Sequence, residues 1–315
     1  MHLNKSSTKL RPDLLSKELS SFSFEAIGTA WSIKIGQSLS KVSEVALEEA
    51  IHDRINQFDK HYSRFRSDSL VALMSNRKGT YQLPDDAKPL FDLYQQLYTL
   101  SGGLLTPLVG QLLSDAGYDA IYSFRTTALK ASLTWDEALE YNYPKLVVKQ
   151  PVLIDVGAAG KGYLIDIISE LILKAGITSY SINAGGDILN HRVSGESSKI
   201  GLEHPINLDE AIGIVTLHNG SICGSAGNKR AWGAYHHIIN PVNKKSPDHI
   251  RATWVVASST MLADGLATAL FFTEPAQLAQ AFDFEYAIIA KDLSLQYSKQ
   301  FPAEFFIETK KGSLT

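Results

Sequence analysis

Asp264 and Thr268 stand four positions apart in Thr260-Met-Leu-Ala-Asp-Gly-Leu-Ala-Thr-Ala-Leu-Phe271, a stretch that reads as a helix. That spacing puts a carboxylate and a hydroxyl on one face, about one turn apart. With backbone carbonyls added, the pair suits a hard cation such as Mg²⁺, which keeps waters and phosphate oxygens as its other ligands. Taken alone, an i,i+4 hydrogen bond or a solvated Asp264 explains the pair more simply.

A second group lies in Asp155-Val-Gly-Ala-Ala-Gly-Lys-Gly-Tyr-Leu-Ile-Asp166. Gly157, Gly160 and Gly162 surround Lys161 in a turn that feeds a helix start. Such a turn offers close backbone approach and free N–H groups, which suit a phosphate, and Lys161 adds a point charge. Asp155 closes the preceding apolar run, where a ligand hydroxyl, an amide or a metal could meet it. A nucleotide P-loop is a poor match, because Gly157 and Gly160 are too close and Gly162 follows the lysine where Ser or Thr belongs. The dinucleotide fingerprint G-x-G-x-x-G is not met either, so a purely structural strand–turn–helix stays open.

Asn183-Ala-Gly-Gly-Asp187 places an amide and a carboxylate around two glycines at a strand end, either as an approach for a ring or phosphate or as an Asx turn. In His236-His237-Ile-Ile-Asn-Pro241 the adjacent histidines of a strand face opposite ways, so only one can enter a given pocket. His237 could orient a phosphate or shuttle a proton, or could be a part-buried imidazole bonded to backbone. No His-Glu-x-x-His or Cys/His spacing supports zinc, and no serine has a nucleophile-elbow context.

The elements that must hold these groups follow from periodicity. Residues 22–35 read as two strands broken at Gly28-Thr29; Val45, Leu47, Ile51, Ile55 and Phe58 repeat at helical spacing. Ser67 or Asp68 could cap a short helix through Met74, and a helix spans 88–100. An irregular apolar loop covers 101–110, a variable-looking connection covers 120–145, and residues 145–148 form a strand. Val152, Leu153 and Ile154 read as a buried strand before the glycine turn. Leu164, Ile165, Ile168, Leu171 and Ile172 mark the helix after it, stopped at Gly176. Strands are expected over 179–182, 199–203, 213–217, 221–223, 235–239 and 254–257. A helical segment over 274–282 and a hairpin from 286–290 and 293–297 close the chain. Adjoining strands in the second half fit an α+β fold, with mixed, mostly antiparallel sheets and packed helices. The expected division is a loose arm over residues 1–20 and one domain over 21–315.

The 315 residues are 44% hydrophobic and 20% charged, enough for a large core. A net charge of −3 gives no footprint for nucleic acid, and no apolar run approaches membrane-spanning length. Cys223 is the single cysteine, so neither an internal disulfide nor a thiolate metal cluster can form. The first dozen residues show no apolar signal core and no cysteine for lipid attachment. The chain therefore reads as cytoplasmic, or as periplasmic if a leader has been trimmed away.

Taken in order, these motifs resemble the ApbE-like family, the FAD:protein FMN transferases, from about Phe24 to Phe272. Gly28-Thr29 is similar to the family's early Gly-Thr, and Ser63-Arg-Phe-Arg-Ser-Asp-Ser69 with Asn76 to its Ser-x-[Tyr/Phe]…Asp-Ser…Asn segment. Gly103 to Gly110 resembles its Gly-Ala-Phe-Asp-Pro-Thr-Val-Gly loop. Asp155 to Asp166 resembles Asp-x-Gly-x-x-Ala-Lys-Gly-x-x-x-Asp. Asn183 to Asp187 matches Asn-x-Gly-Gly-Asp, His237 to Pro241 resembles His-Ile-Ile-Asp-Pro, and Ala263 to Leu270 resembles Ala-Asp-Ala-Leu-Ser-Thr-Ala-Leu.

The resemblance implies a cleft that binds FAD, with Mg²⁺ at the pyrophosphate, and transfer of FMN to a threonine hydroxyl of a partner flavoprotein with release of AMP. It implies metal contacts from Asp264, Thr268 and the backbone carbonyls of Ala267 and Ala158. The FAD positions it implies are Ile27, Phe65, Leu104, Leu105, Thr106, Asp155, Lys161 and Ile238, with Asn183 and Asp187 from the glycine motif. His237 corresponds to the active-site histidine, and His237 or Asp264 is the candidate base. Thr106 and Asn240 stand where the family has aspartate, Asn243-Lys244 replaces Thr-Gly, Gly224-Ser225-Ala226 replaces Thr-Ser-Gly, and Gly160 replaces Ala. The alternatives are an FAD-binding protein that does not transfer, and a pyrophosphatase that gives FMN and AMP.

Overall fold

The computed structural model describes residues 20–192 and 195–306. The expected arm over 1–20 lies outside them, apart from Ser20. A hairpin opens the described chain: β1 (Ser20–Ala26) and β2 (Thr29–Ile35) turn at Ile27-Gly28. Helix α1 (Lys41–Tyr62) buries Leu47, Ile51, Ile55, Phe58 and Tyr62, spaced by three or four residues as one helical face requires. Its apolar stripe omits Val45, which is exposed.

Helix α2 (Leu70–Asn76) starts one or two residues later than expected. Ser69 is the cap, its hydroxyl accepting the Ala72 N–H at 3.1 Å, while the Asp68 carboxylate is held by Arg66. Strand β3 (Gly79–Gln82) and helix α3 (Ala87–Leu100) follow. The loop expected over 101–110 ends in a 3₁₀ turn at Pro107–Val109 and then α4 (Gly110–Asp115), which the sequence reading missed. The connection over 120–145 also contains structure, α5 (Trp135–Ala138) and β4 (Leu139–Asn142), before β5 (Lys145–Val148). Both are four residues long, too short for a periodicity to show. β3, β5 and β4 form a small antiparallel sheet.

The run Val152–Ile154 is extended but is not a strand of any sheet. The Val152 N–H donates to the Met74 carbonyl at 3.1 Å and the Asp155 N–H to the Pro107 carbonyl at 2.7 Å. Apolar content predicted the burial of Val152 and Ile154 correctly and the strand wrongly.

The glycine turn leads into α6 (Gly160–Lys174), and Gly176 sits just past its end with φ +79°. Then come β6 (Ser179–Ala184), β7 (Asp187–Arg192), β8 (Ser198–Glu203), β9 (Ala211–Leu217) and β10 (Gly220–Ala226). Two short strands follow, β11 (Ala231–Trp232) and β12 (Tyr235–His236), and then β13 (Ile250–Ala257). Helices α7 (Thr260–Ala269) and α8 (Pro275–Leu278) precede the closing strands β14 (Glu285–Ala290), β15 (Leu295–Tyr297) and β16 (Ala303–Phe305). The strand expected over 235–239 stops at His236.

The main sheet has eight strands in the order β1-β2-β6-β7-β10-β13-β14-β15, and each neighbouring pair is antiparallel. Both faces are buried, and alternation along the central strands shows how. Cys223, Val255 and Ile288 face the larger core with α1, α3, α6 and α7. Their neighbours Ile222, Val256 and Ile289 face a second core, covered by the three-stranded sheet β16-β9-β8 through Leu202, Ile212 and Val215. A period-two chain with apolar residues on both faces must be covered twice. The fold is α+β with antiparallel sheets, as expected. No helix among the described residues is long and apolar enough to cross a membrane.

Candidate functional site

The site is built where α6 and α7 cross. Gly162 allows the approach: a Cβ there would overlap the Thr260 carbonyl and stand 2.7 Å from the Asp264 Cβ. The contact is then tied by hydrogen bonds. The Gly162 N–H donates to Asp264 Oδ2 at 2.8 Å. About one turn further along α6, the Asp166 carboxylate accepts the N–H groups of Thr260 and Met261, each at 2.8 Å. These are orphan donors of the first turn of α7, so Asp166 caps that helix from α6. Asp264 and Asp166 thus fix the register of the two helices, and with it the distance between Lys161 and Asp264.

Lys161 projects from the first turn of α6 and pairs with Asp187, with Asp264 Oδ1 at 3.9 Å. Asp187 is buried at the start of β7, and its other oxygen accepts the Gly224 N–H. Below the glycine turn, Asp155 accepts the Gly157 N–H at 2.7 Å and pairs with the buried Arg64. The Arg64 guanidinium lies 4.2 Å from the Phe65 ring centroid and 4.9 Å from that of Tyr118. The free N–H groups expected of the turn are mostly engaged: Gly157 donates to Asp155, Ala159 and Gly160 to the Val156 carbonyl, and Gly162 to Asp264. What the turn offers a phosphate is chiefly the Lys161 ammonium.

A cavity of about 370 Å³ opens above this junction. Lys161, Asp264, Thr268 and His237 all line it, together with Asp155 and Ala158. Its apolar wall carries Phe65, Leu104, Leu105, Thr106 and Ile238. A second cavity of about 350 Å³ adjoins it, lined by Ile27, Phe58, Tyr62 and Tyr122. The two share Gly28, Phe65, Asp155, Gly157, Lys161 and Arg230. Residues from five separated motifs therefore meet in one place.

Four of the expected residues stand apart from the first cavity. Ile27 lines only the second, on the β1–β2 turn with φ +46°, a left-handed conformation that is costly for a β-branched residue. The Asn183 side chain accepts the Gly186 N–H at 3.0 Å, which is the Asx-turn reading. Ala267 is buried, and its carbonyl accepts the Thr253 hydroxyl at 2.7 Å. Asp187 does not line the cavity either, but it reaches the site through Lys161.

His237 follows β12, and its N–H donates to the Arg230 carbonyl at 3.1 Å. The two histidines diverge as expected: His236 Nε2 lies 2.9 Å from the Pro247 carbonyl, while His237 faces the cavity. His237 Nδ1 is buried and has no hydrogen-bond partner among the described residues. Burial, followed by the charge of Arg230, pulls its pKa down to about 3. It is therefore neutral at physiological pH, with a lone pair available on the ring.

Burial raises the Asp264 carboxyl above its ordinary range, while Lys161 and the Gly162 N–H pull it back. The Thr268 hydroxyl lies 3.2 Å from that of Ser225 and 3.5 Å from the Asp264 carbonyl. The donors grouped at Asp264 are oxygen only, its own carboxylate and the hydroxyls of Thr268 and Ser225. That chemistry fits a hard cation that keeps waters and phosphate oxygens, and it does not fit a soft metal. No group of three or more His, Cys, Asp or Glu able to hold a metal occurs among the described residues. Cys223 is buried with its thiol pKa raised by desolvation, so it is no nucleophile.

Sequence reasoning missed Arg64, Arg230, Asp166 and Ser225 as parts of the site. Arg64 and Ser225 lay inside motifs already noted, and a buried arginine needs a carboxylate, which Asp155 could have suggested. Arg230 had no signal, because its place on the rim depends on how the chain returns from β10. Two of the departures from the family pattern, Thr106 and Asn240, have local duties. Thr106 caps the 3₁₀ turn by accepting the Leu108 N–H at 3.1 Å, and Asn240 accepts the N–H groups of Val242 and Asn243 at 2.9 and 3.1 Å.

Comparison with known proteins places the fold in a family. The family model described as "ApbE family" matches residues 27–289. A FAD:protein FMN transferase of Buchnera aphidicola is 25% identical over 270 residues, covering 78% of this chain and 77% of that protein. One from Vibrio cholerae is 23% identical over 263 residues, with 78% of each chain covered. Among solved structures, the flavin transferase ApbE from Vibrio cholerae superposes with a TM-score of 0.77 at 22% identity, covering 90% of this chain and 97% of the other. The apbe protein from Thermotoga maritima gives a TM-score of 0.77 at 20% identity, over 90% and 99%. With the family match running from the β1–β2 turn to β14 and across every wall of both cavities, this chain belongs to the ApbE family.

Proposed function

We propose that this protein transfers FMN from FAD to a threonine hydroxyl of a partner flavoprotein and releases AMP. The observation that carries the reading is the meeting of Lys161, Asp264, Thr268 and His237 at one cavity that shares its rim with a second. Two adjoining cavities suit a dinucleotide: one ring system in each, with the diphosphate across the shared rim at Gly157, Lys161 and Arg230. The names of the curated relatives support flavin transfer.

The reaction needs a threonine oxygen to bond to the phosphorus of the FMN half while the bond from that phosphorus to the bridging oxygen breaks. AMP leaves with the bridging oxygen, and the threonine proton goes to a base. Lys161 and Arg230 face the phosphoryl oxygens on which negative charge grows. Neutral His237 has a lone pair to take the proton, and Asp264 is the competing acceptor. Asp264, Thr268 and the Ala158 carbonyl would hold Mg²⁺, joined by the Ala267 carbonyl only if it released the Thr253 hydroxyl, and the bound ion would polarise the phosphoryl oxygens and stabilise the leaving group. Lys161 must then exchange part of its bond with Asp187 for the diphosphate. Leu104, Leu105 and Ile238 exclude water from the apolar wall, which favours threonine over hydrolysis.

Incubation with FAD, Mg²⁺ and a threonine-containing acceptor domain tests the proposal. Covalent FMN on the acceptor with one AMP per label supports it. AMP and free FMN without label would make the protein a pyrophosphatase, and FAD recovered intact would make it a binder. The local duties of Thr106 and Asn240 weigh against those two outcomes, since both side chains are backbone acceptors here, a role that needs no negative charge.

A further inference from the structure

Tyr122 lies outside every motif of the sequence, in the stretch that reads as a connection. In the structure its ring is stacked on Phe65, with centroids 5.3 Å apart and planes 11° apart. Phe65 lines both cavities, and Tyr122 lines the second. Its hydroxyl stands over Gly28, 3.7 Å from where a Cβ would be. Tyr122 therefore lies against Phe65 and Gly28, two residues that the cavities share.

The segment that carries it is a short strap. Asp119 pins the base, its carboxylate accepting the N–H groups of Ile121 and Ser123 at 3.1 and 2.9 Å, and the Phe124 N–H donates to the Gly117 carbonyl at 2.8 Å. Between these anchors, Tyr122 and Phe124 both hold positive φ, +52° and +51°. Left-handed backbone at two aromatic residues is unfavourable and persists only when the surroundings impose it. Tyr122 is 43% exposed, so burial in a core is not what imposes it. The conformation aims the ring at Phe65.

We propose that Phe65 and Tyr122 are the two jaws of an aromatic clamp for one heteroaromatic ring of the dinucleotide, with Tyr122 the jaw that moves. The inference rests on the flavin-transfer reading of this site and names a residue that selects its substrate. Two rings 5.3 Å apart leave no room for a third, since each stacked pair needs a centroid separation of at least about 4.5 Å. A bound ring must lift Tyr122 off Phe65 and take its place, keeping one aromatic face on each side. The strap can move because it is held at its base and exposed at its tip, where Ile121 is 83% exposed. The ligand chemistry is a planar heteroaromatic ring joined to a phosphate, which both halves of FAD provide.

Titration of FAD, FMN and AMP against the full chain, and against Tyr122→Ala and Tyr122→Phe, tests the clamp. Tyr122→Ala is expected to weaken FAD about tenfold, the loss of one stacking face. Tyr122→Phe should bind within about twofold of the parent, because the ring and not the hydroxyl makes the contact. Tyr122→Ala should also weaken only one of FMN and AMP, and that one identifies the clamped ring. Wild-type binding of FAD matched by Tyr122→Ala would overturn the clamp and leave the flavin reading standing. Equal losses for Tyr122→Phe and Tyr122→Ala would also overturn it, assigning the effect to the hydroxyl. Failure of the wild-type chain to bind FAD would overturn both.

Discussion

Lys161 illustrates why single residues of this site cannot be read singly. Its ammonium pairs with Asp187, a carboxylate buried at the start of β7. Lys161→Ala removes the proposed phosphate ligand but also strands that carboxylate, at a cost of about 3 kcal/mol. We expect the variant to melt several degrees below wild type and to bind FAD more weakly. Adding Asp187→Asn should restore the melting temperature and leave the FAD affinity low, as read by thermal denaturation and fluorescence titration. Recovery of both would mean that Lys161 acts only as the partner of Asp187.

His237 gives a prediction in pH. Its folded pKa of about 3 lies below the ordinary 6.5, so the fold favours the neutral ring. The unfolded chain takes up a proton first as pH falls. The stability this group supports is therefore whole above pH 6.5 and is lost between 6.5 and about 3, by up to a factor of ten in the folding constant per pH unit. His237→Gln should flatten the fall in melting temperature between pH 6.5 and 4 relative to wild type. An NMR titration of the His237 ring protons that shows protonation near pH 6.5 would contradict the assignment.

At the scale of elements, the α6–α7 crossing sets the active geometry. Asp166 caps α7 from α6, and Asp166→Ala should cost about 2 kcal/mol by leaving two helix-end N–H groups unpaired. Gly162→Ala should cost more, because its Cβ would overlap the Thr260 carbonyl and force the helices apart. Both are read in denaturant melts, and a Gly162→Ala variant as stable as wild type would show that the crossing is not close-packed there.

Both helices were legible from the sequence; in α6, Leu164, Ile165, Ile168 and Ile172 repeat at helical spacing over about two and a half turns. Their crossing was not. Glycine in Gly160-Lys-Gly162 suggested a phosphate cradle, and only the packing shows that Gly162 serves a helix contact. The cap role of Asp166 was likewise hidden, because the N–H groups it holds lie 94 and 95 residues away. Strands β4, β11 and β12 are two to four residues long, and no pattern can establish itself over that length.

Across the whole molecule, the eight-stranded sheet gathers motifs scattered along the chain. β2 pairs with β6, so the Gly28-Thr29 turn meets Asn183 to Asp187 at the same sheet end. β10 lies between β7 and β13, which puts Ser225 beside Thr268 of α7. Strands that adjoin one another in the second half of the chain foretold an α+β fold, but strand order depends on contacts between distant segments, which one sequence does not reveal. The order of the motifs supplied through resemblance what periodicity could not.

The central claim is that Asp264, held against the glycine turn, serves flavin transfer. Asp264→Asn is the sharpest probe, because the amide oxygen can still accept the Gly162 N–H, whereas Asp264→Ala would strand it. The deciding measurement is a time course of covalent FMN on an acceptor threonine, followed by intact-protein mass spectrometry with FAD and Mg²⁺, for wild type and Asp264→Asn side by side. We predict labelling by wild type and a rate lower by roughly a hundredfold or more in a variant that stays folded. Equal rates for the two proteins, or no label from wild type, would contradict the account.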